Sequence, residues 1–201
     1  FDFGIDNLIG FDLHNKKVGI IGLGRIGQAF AKIMHGFGCY LLVNDLHHDT
    51  KMAFELDFMY VSLKELSEQS DIISIHVPLN ESTEKLINAE RLNSMKSGVI
   101  LINTSRGKVV DTAALIEALE DKKIASAGLD VYENERCYYS KDCSAGEIED
   151  AQLKKLIEME NVLLTCHQAF LTNEALSNIA STTYKNILDW QMSGMSKNEI
   201  N

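Results

Sequence analysis

The chain has 201 residues, 45% of them hydrophobic and 24% charged. Such a composition folds, and the length supports one good-sized core while leaving a tight fit for two large independent domains. Nineteen basic residues against 29 acidic ones give a formal charge of −10, and no Lys/Arg cluster reverses the sign, which disfavours nucleic-acid and anionic-lipid partners. The apolar runs are strand-sized and no charged leader with a cleavage site precedes them, so neither membrane spanning nor secretion is expected and the cytoplasm is the default location. Cys39, Cys137, Cys143 and Cys166 lack the paired spacing of zinc or redox motifs and read as free thiols; no metal is expected.

In chain order, residues 1–12, FDFGIDNLIGFD, carry no clear strand or capped amphipathic helix. From KKVGIIG onward, β-rich runs alternate with helical stretches, the pattern of βαβ units. Strands are predicted at 18–22, 40–44, 71–77, 98–103, 124–130 and 161–165, with a weak candidate at 59–61. A helix is predicted over 27–38, where Ala29, Phe30, Ile33, Met34 and Phe37 recur at helical spacing before Gly36 and Gly38 stop it. Ser62 stands three residues ahead of Glu65, the spacing of a capping box, and opens a helix over 62–70. Asp111 is the expected N-cap of a helix over 111–123 with Leu115, Ile116 and Leu119 on one face, and a last long helix is predicted over 173–190. Residues 136–153 read as a polar surface excursion. The fold class expected is α/β, a doubly wound and mostly parallel sheet of the Rossmann type.

Chemistry-bearing residues collect where these strands end. Strand 18–22 runs into GLGRIG, whose Gly22, Gly24 and Gly27 follow the G-x-G-x-x-G spacing directly before a helix. Gly22 suits the tight turn, Gly24 lets a diphosphate approach the backbone, and Gly27 lets the helix pack on the strand. The second strand stops at Asp45, where a carboxylate can hold both ribose hydroxyls and repel a 2′-phosphate, favouring NAD over NADP; its plainer reading is a turn residue. Val77 and Pro78 suit an adenine face, and His76 beside them reads as structural. Arg106 follows the fourth long strand as a fixed positive fork, either a salt bridge to a helix or a bidentate clamp for a substrate carboxylate. Asp130 ends the strand at 124–130, Glu135 comes five residues later, and His167 follows the strand at 161–165. A parallel sheet puts all these strand ends on one edge, and a histidine there, beside an arginine, two acids and a dinucleotide turn, reads as catalytic. The glycine turn and acidic second strand by themselves also fit a methyltransferase.

Taken together, GLGRIG, HVPL, INTSRGKVVD, AGLDVYENE and HQAFLTNEAL resemble the D-isomer-specific 2-hydroxyacid dehydrogenases, and LDVYENER with HQAFLT resembles the fermentative D-lactate dehydrogenase branch. The resemblance implies that Arg106 holds the substrate carboxylate, that His167 is the acid/base and that Glu135 is its partner. It also implies NAD contacts from Arg25 and Ile26 at the pyrophosphate, Asp45 at the adenosine ribose, Val77, Pro78 and Thr83 on the adenine side, and Thr104, Ser105 and Asp130 near the nicotinamide. The implied substrates are small 2-keto and 2-hydroxy acids, and the implied assembly is a homodimer. Domain expectations follow: residues 1–12 as a linker from a substrate-binding lobe that lies outside this sequence, 13–170 as the NAD-binding domain, and 171–201 as a helix returning to that lobe. Other D-2-hydroxy acids are open as substrates, and so is a noncatalytic NAD-binding interaction module.

Overall fold

The structure, a computed structural model, describes residues 9–138 and 148–199. Most of the expected linker (1–8) and Cys143 lie outside the described residues. Two compact units divide between Cys166 and His167. The first carries seven strands: β1 (Lys17–Ile21), β2 (Tyr40–Asn44), β3 (Met59–Tyr60), β4 (Ile72–Ile75), β5 (Val99–Asn103), β6 (Ile124–Leu129) and β7 (Val162–Leu164). They form one parallel sheet in the order β3-β2-β1-β4-β5-β6-β7, whose order reverses between β1 and β4. The fold class is therefore the one expected, and the weak candidate at 59–61 is a real edge strand of two residues.

Alternation along the strands explains why the sheet is covered on both faces. Val18 and Ile20 of β1 join Leu41 and Val43 of β2 in one core, whereas Ile21, Leu42, Ile73, Ile75 and Leu101 point into the other. Helix α1 (Arg25–Gly36) and helix α2 (Thr50–Glu55) supply Ala31 and Met52 to the first core. Helices α3 (Leu63–Gln69), α4 (Ala89–Ser94), α5 (Thr112–Glu120) and α6 (Ala151–Glu158) supply Leu66, Leu92, Leu115 and Leu156 to the second.

Local signals account for the helix starts. The Ser62 hydroxyl accepts from the Glu65 N–H while the Glu65 carboxylate accepts from the Ser62 N–H, so the capping box forms. Asp111 caps α5 by accepting from the Ala114 N–H. Three helices went unread. The segments of α2 and α4 span six residues each, too short for an apolar period, and only their caps Asp49 and Asn88 mark them. The third, α6, corrects the reading of 136–153 as surface excursion throughout: Asp150 caps a helix whose first turn buries Leu153. Residues 139–147 lie outside the described residues. Of the described cysteines, Cys39 is buried, with its thiol pushed up by that burial, and Cys137 and Cys166 are exposed free thiols.

The second unit, described by itself, opens at His167 and contains helix α7 (Asn173–Ser193), capped by Thr172 and closed by Gly194 at φ +71°. Among the described residues no helix is long and apolar enough to cross a membrane.

Candidate active site

Strand register lines up the carboxyl ends. Asn44, Ile21, Ile75, Asn103, Leu129 and Leu164 pair in turn across β2, β1, β4, β5, β6 and β7, so one row closes the sheet. The next residues along each chain segment, Asp45, Gly22, His76, Thr104, Asp130 and Thr165, therefore leave the sheet at one edge. In open α/β sheets ligands bind outside this edge, at the point where the strand order reverses.

That point is occupied by the glycine turn. Gly22 has φ +94°, and a Cβ there would lie 2.9 Å from the His76 carbonyl and from Val77 Cγ1, so only glycine closes the turn against β4. A Cβ on Gly27 would lie 2.1 Å from the Gly22 oxygen, which is why α1 can pack straight onto the turn. Gly24 differs: a Cβ there meets nothing within 4 Å, and the surface above it is open. Gly24 is also the N-cap of α1, so the helix starts at Arg25, two residues ahead of the start expected at Gly27, and ends at Gly36. Among the described α-helices α1 alone has no side-chain cap; Asp49, Ser62, Asn88, Asp111, Asp150 and Thr172 cap the others. An uncapped N-terminus beside a cleared glycine leaves N–H groups and the positive helix end for an anion, and a pyrophosphate fits that demand. Arg25 and Ile26 lie exposed in the same turn, Ile26 at 67% of its surface.

At the neighbouring strand end, Asp45 accepts from the Leu23 N–H at 2.5 Å and from the His47 N–H at 2.8 Å. Its carboxylate thus ties the end of β2 to the glycine turn, combining the plain turn role with a negative charge held at the crevice. Beyond β4, Val77 packs on the Gly22 turn and Pro78 is exposed. The Thr83 hydroxyl donates to the Pro78 carbonyl at 2.6 Å and closes the loop under it. His76 has a structural setting, with Nε2 2.9 Å from Ser74 Oγ and its ring 5.1 Å from that of Phe30; burial pushes its pKa from 6.5 down to about 4.

On the other side of the switch point, the loop after β5 exposes Thr104 and Arg106. The Arg106 guanidinium donates through Nη1 to the Ser105 carbonyl at 2.7 Å. Gly107 presses this loop onto the segment after β6: a Cβ on Gly107 would lie 2.1 Å from the Tyr132 carbonyl carbon and 2.5 Å from the Glu133 nitrogen. That segment begins with buried Asp130, which accepts from the Thr165 hydroxyl at 2.6 Å, and leads to Glu135, whose Oε2 accepts from the Tyr132 N–H at 3.1 Å. Tyr132 donates in turn to Asp150 at 2.8 Å, and burial followed by that carboxylate pushes its phenol up. No local pattern in the sequence marks Asn103, Gly107 or Thr165, although Asn103 and Gly107 stand inside the INTSRG run. His167 is half-buried and has φ +50°, a left-handed conformation uncommon outside glycine and enriched for asparagine, aspartate and histidine. It opens the second unit, whereas Arg106, Asp130 and Glu135 belong to the first.

Sheet order and turn together define a dinucleotide-binding domain of the doubly wound class. The family described as D-isomer specific 2-hydroxyacid dehydrogenase, NAD binding domain, matches residues 4–169. A D-lactate dehydrogenase of Curvularia clavata is 45% identical over 189 residues, covering 94% of this chain and 54% of the relative. Among solved structures, a D-lactate dehydrogenase from a Sporolactobacillus species superposes with a TM-score of 0.92 at 38% identity, over 100% of this chain and 60% of that one. D-lactate dehydrogenase with NAD+ from Lactobacillus jensenii does so at 0.88 and 37% identity, over 98% and 58%. The chain belongs to the D-isomer-specific 2-hydroxyacid dehydrogenase family, as its NAD-binding domain, and it spans little more than half the length of these relatives.

Proposed function

We propose that this chain acts as the nucleotide-binding part of an NAD-dependent D-lactate dehydrogenase that reduces pyruvate to D-lactate, with residues 1–12 and 171–201 linking it to a substrate-binding lobe. The carrying observation is the single row of strand ends, which aligns the exits of the Arg106 loop and the Asp130–Glu135 segment with the dinucleotide turn. Bound NADH supplies a hydride to the keto carbon. Arg106 grips the pyruvate carboxylate with its planar fork and orients the carbonyl. The His167 imidazolium gives its proton to the keto oxygen, which becomes the hydroxyl of lactate, and the Glu135 carboxylate favours the charged imidazole beforehand. His167 would then recover its proton from water. Asp45, held by two backbone donors, takes the ribose hydroxyls and disfavours NADPH.

The test is NADH consumption by the full-length gene product with pyruvate and with bulkier 2-keto acids. Pyruvate is the expected preferred substrate, and His167→Gln lowers kcat by roughly a hundredfold to ten-thousandfold. Undiminished pyruvate reduction by His167→Gln removes the assigned acid; preference for a bulky keto acid moves the substrate within the family.

A further inference from the structure

We propose that Asn103 is a positioning residue that aims the Arg106 guanidinium; the inference rests on the reading of Arg106 as the carboxylate clamp. Asn103 ends β5 with 1% of its surface exposed, and its partners in the row, Ile75 and Leu129, are apolar and buried at 0% and 5%. An amide in such a place has to satisfy itself within the protein. It does so entirely on the loop that follows. Asn103 Oδ1 accepts from the Ser105 N–H at 3.0 Å and from the Ser105 hydroxyl at 2.9 Å, while Nδ2 donates to the Arg106 carbonyl at 3.0 Å. One planar amide thus grips the Ser105–Arg106 dipeptide at both ends, as a neighbouring strand would. Between those two grips lies the Ser105 carbonyl, and that oxygen is what the Arg106 Nη1 donates to, at 2.7 Å. The chain of contacts runs from a buried amide, through one peptide, to the exposed fork. The main chain of Asn103 adds a second tie, because its carbonyl accepts from the Asp130 N–H at 3.0 Å. The side-chain contacts orient the arginine; the main-chain contact survives any substitution of the side chain.

The consequence is a coupling between residues 103 and 106 that a purely structural asparagine would not show. In the full-length gene product, Asn103→Ala frees the Ser105–Arg106 peptide and raises KM for pyruvate roughly tenfold or more, the scale of losing aim in a bidentate charged contact. Arg106→Lys, which lacks the fork, lowers kcat/KM for pyruvate by a comparable or larger factor. In the Arg106→Lys background, Asn103→Ala then changes kcat/KM by no more than about twofold, because there is no fork left to aim. Asn103→Asp serves as the second variant: it keeps the Oδ1 acceptor and turns the Arg106 carbonyl's donor into a repelling oxygen, and it shows the same coupling. Multiplicative effects of Asn103→Ala in the two backgrounds, or unchanged pyruvate kinetics in both Asn103 variants while Arg106→Lys is impaired, overturn the inference alone. Failure of both variants to fold overturns it too, by making Asn103 a residue of the core. An Arg106→Lys enzyme with wild-type pyruvate kinetics overturns the clamp reading and the inference with it.

Discussion

His76 offers the sharpest physical test of the crevice, because its charge state is set by where the sheet order reverses. It follows β4 beneath the glycine turn, shares a hydrogen bond with Ser74, itself 1% exposed, and packs against the Phe30 ring. Burial lowers its pKa from 6.5 to about 4. Between those values the unfolded chain holds a proton that the folded chain refuses, so unfolding gains as pH falls. The stabilising contribution is complete above about pH 6.5 and is lost on acidification toward about pH 4. A shift of that size corresponds to about 3 kcal/mol, and the solvent that still reaches the half-buried ring reduces it to about 1–2 kcal/mol. Urea unfolding of the wild type and of His76→Gln at steps between about pH 7.5 and about pH 4.5 reads this directly. His76→Gln starts less stable, through lost packing on Phe30, yet its free energy of unfolding falls about 1–2 kcal/mol less over that range. Asp111, whose carboxyl Lys85 holds below the usual carboxylate range, loses its own contribution at lower pH and does so alike in both proteins. Parallel curves for the two proteins would refute the reasoning, since a neutral buried imidazole has to leave this signature.

The glycine triad predicts a contrast between two alanine variants. Gly24→Ala, with no atom within 4 Å of the added Cβ, keeps its Tm but weakens NADH binding in a fluorescence titration; Gly27→Ala, 2.1 Å from the Gly22 oxygen, loses roughly 2–4 kcal/mol as well as NADH affinity. Equal Tm values for the two variants would contradict the packing assigned to Gly27. Gly107→Ala forces the Arg106 loop off the Tyr132–Glu133 backbone and is expected to lower stability by roughly 2–4 kcal/mol in thermal unfolding, together with pyruvate turnover in the full-length gene product. An unchanged Tm would mean that the two segments separate freely.

The glycine turn was legible because its signals are local. The GLGRIG spacing requires a turn, a cleared surface and a close helix within six residues, and Gly22, Gly24 and Gly27 meet those three demands in that order. The Ser62 and Asp111 caps likewise act within three residues of themselves. The short helices α2 and α4 escaped because six residues make less than two turns, too few for an apolar stripe to repeat. Why Asn103 grips the Arg106 loop, why Asp130 takes its hydrogen bond from Thr165, 35 residues away, and why Gly107 must be glycine against Tyr132 were not readable.

By itself, then, the sequence determined the strands, the helices α1, α3, α5 and α7, the glycine turn and which side chains end the strands. Tertiary structure decided the neighbours of those ends. Strand register is set by burying Ile20 on one face and Ile21 on the other, and a slip of one residue would send each to the wrong core. Only once that register is chosen do Asn103, Leu129 and Leu164 fall into one row, which sets Thr165 against Asp130 and Gly107 against Tyr132.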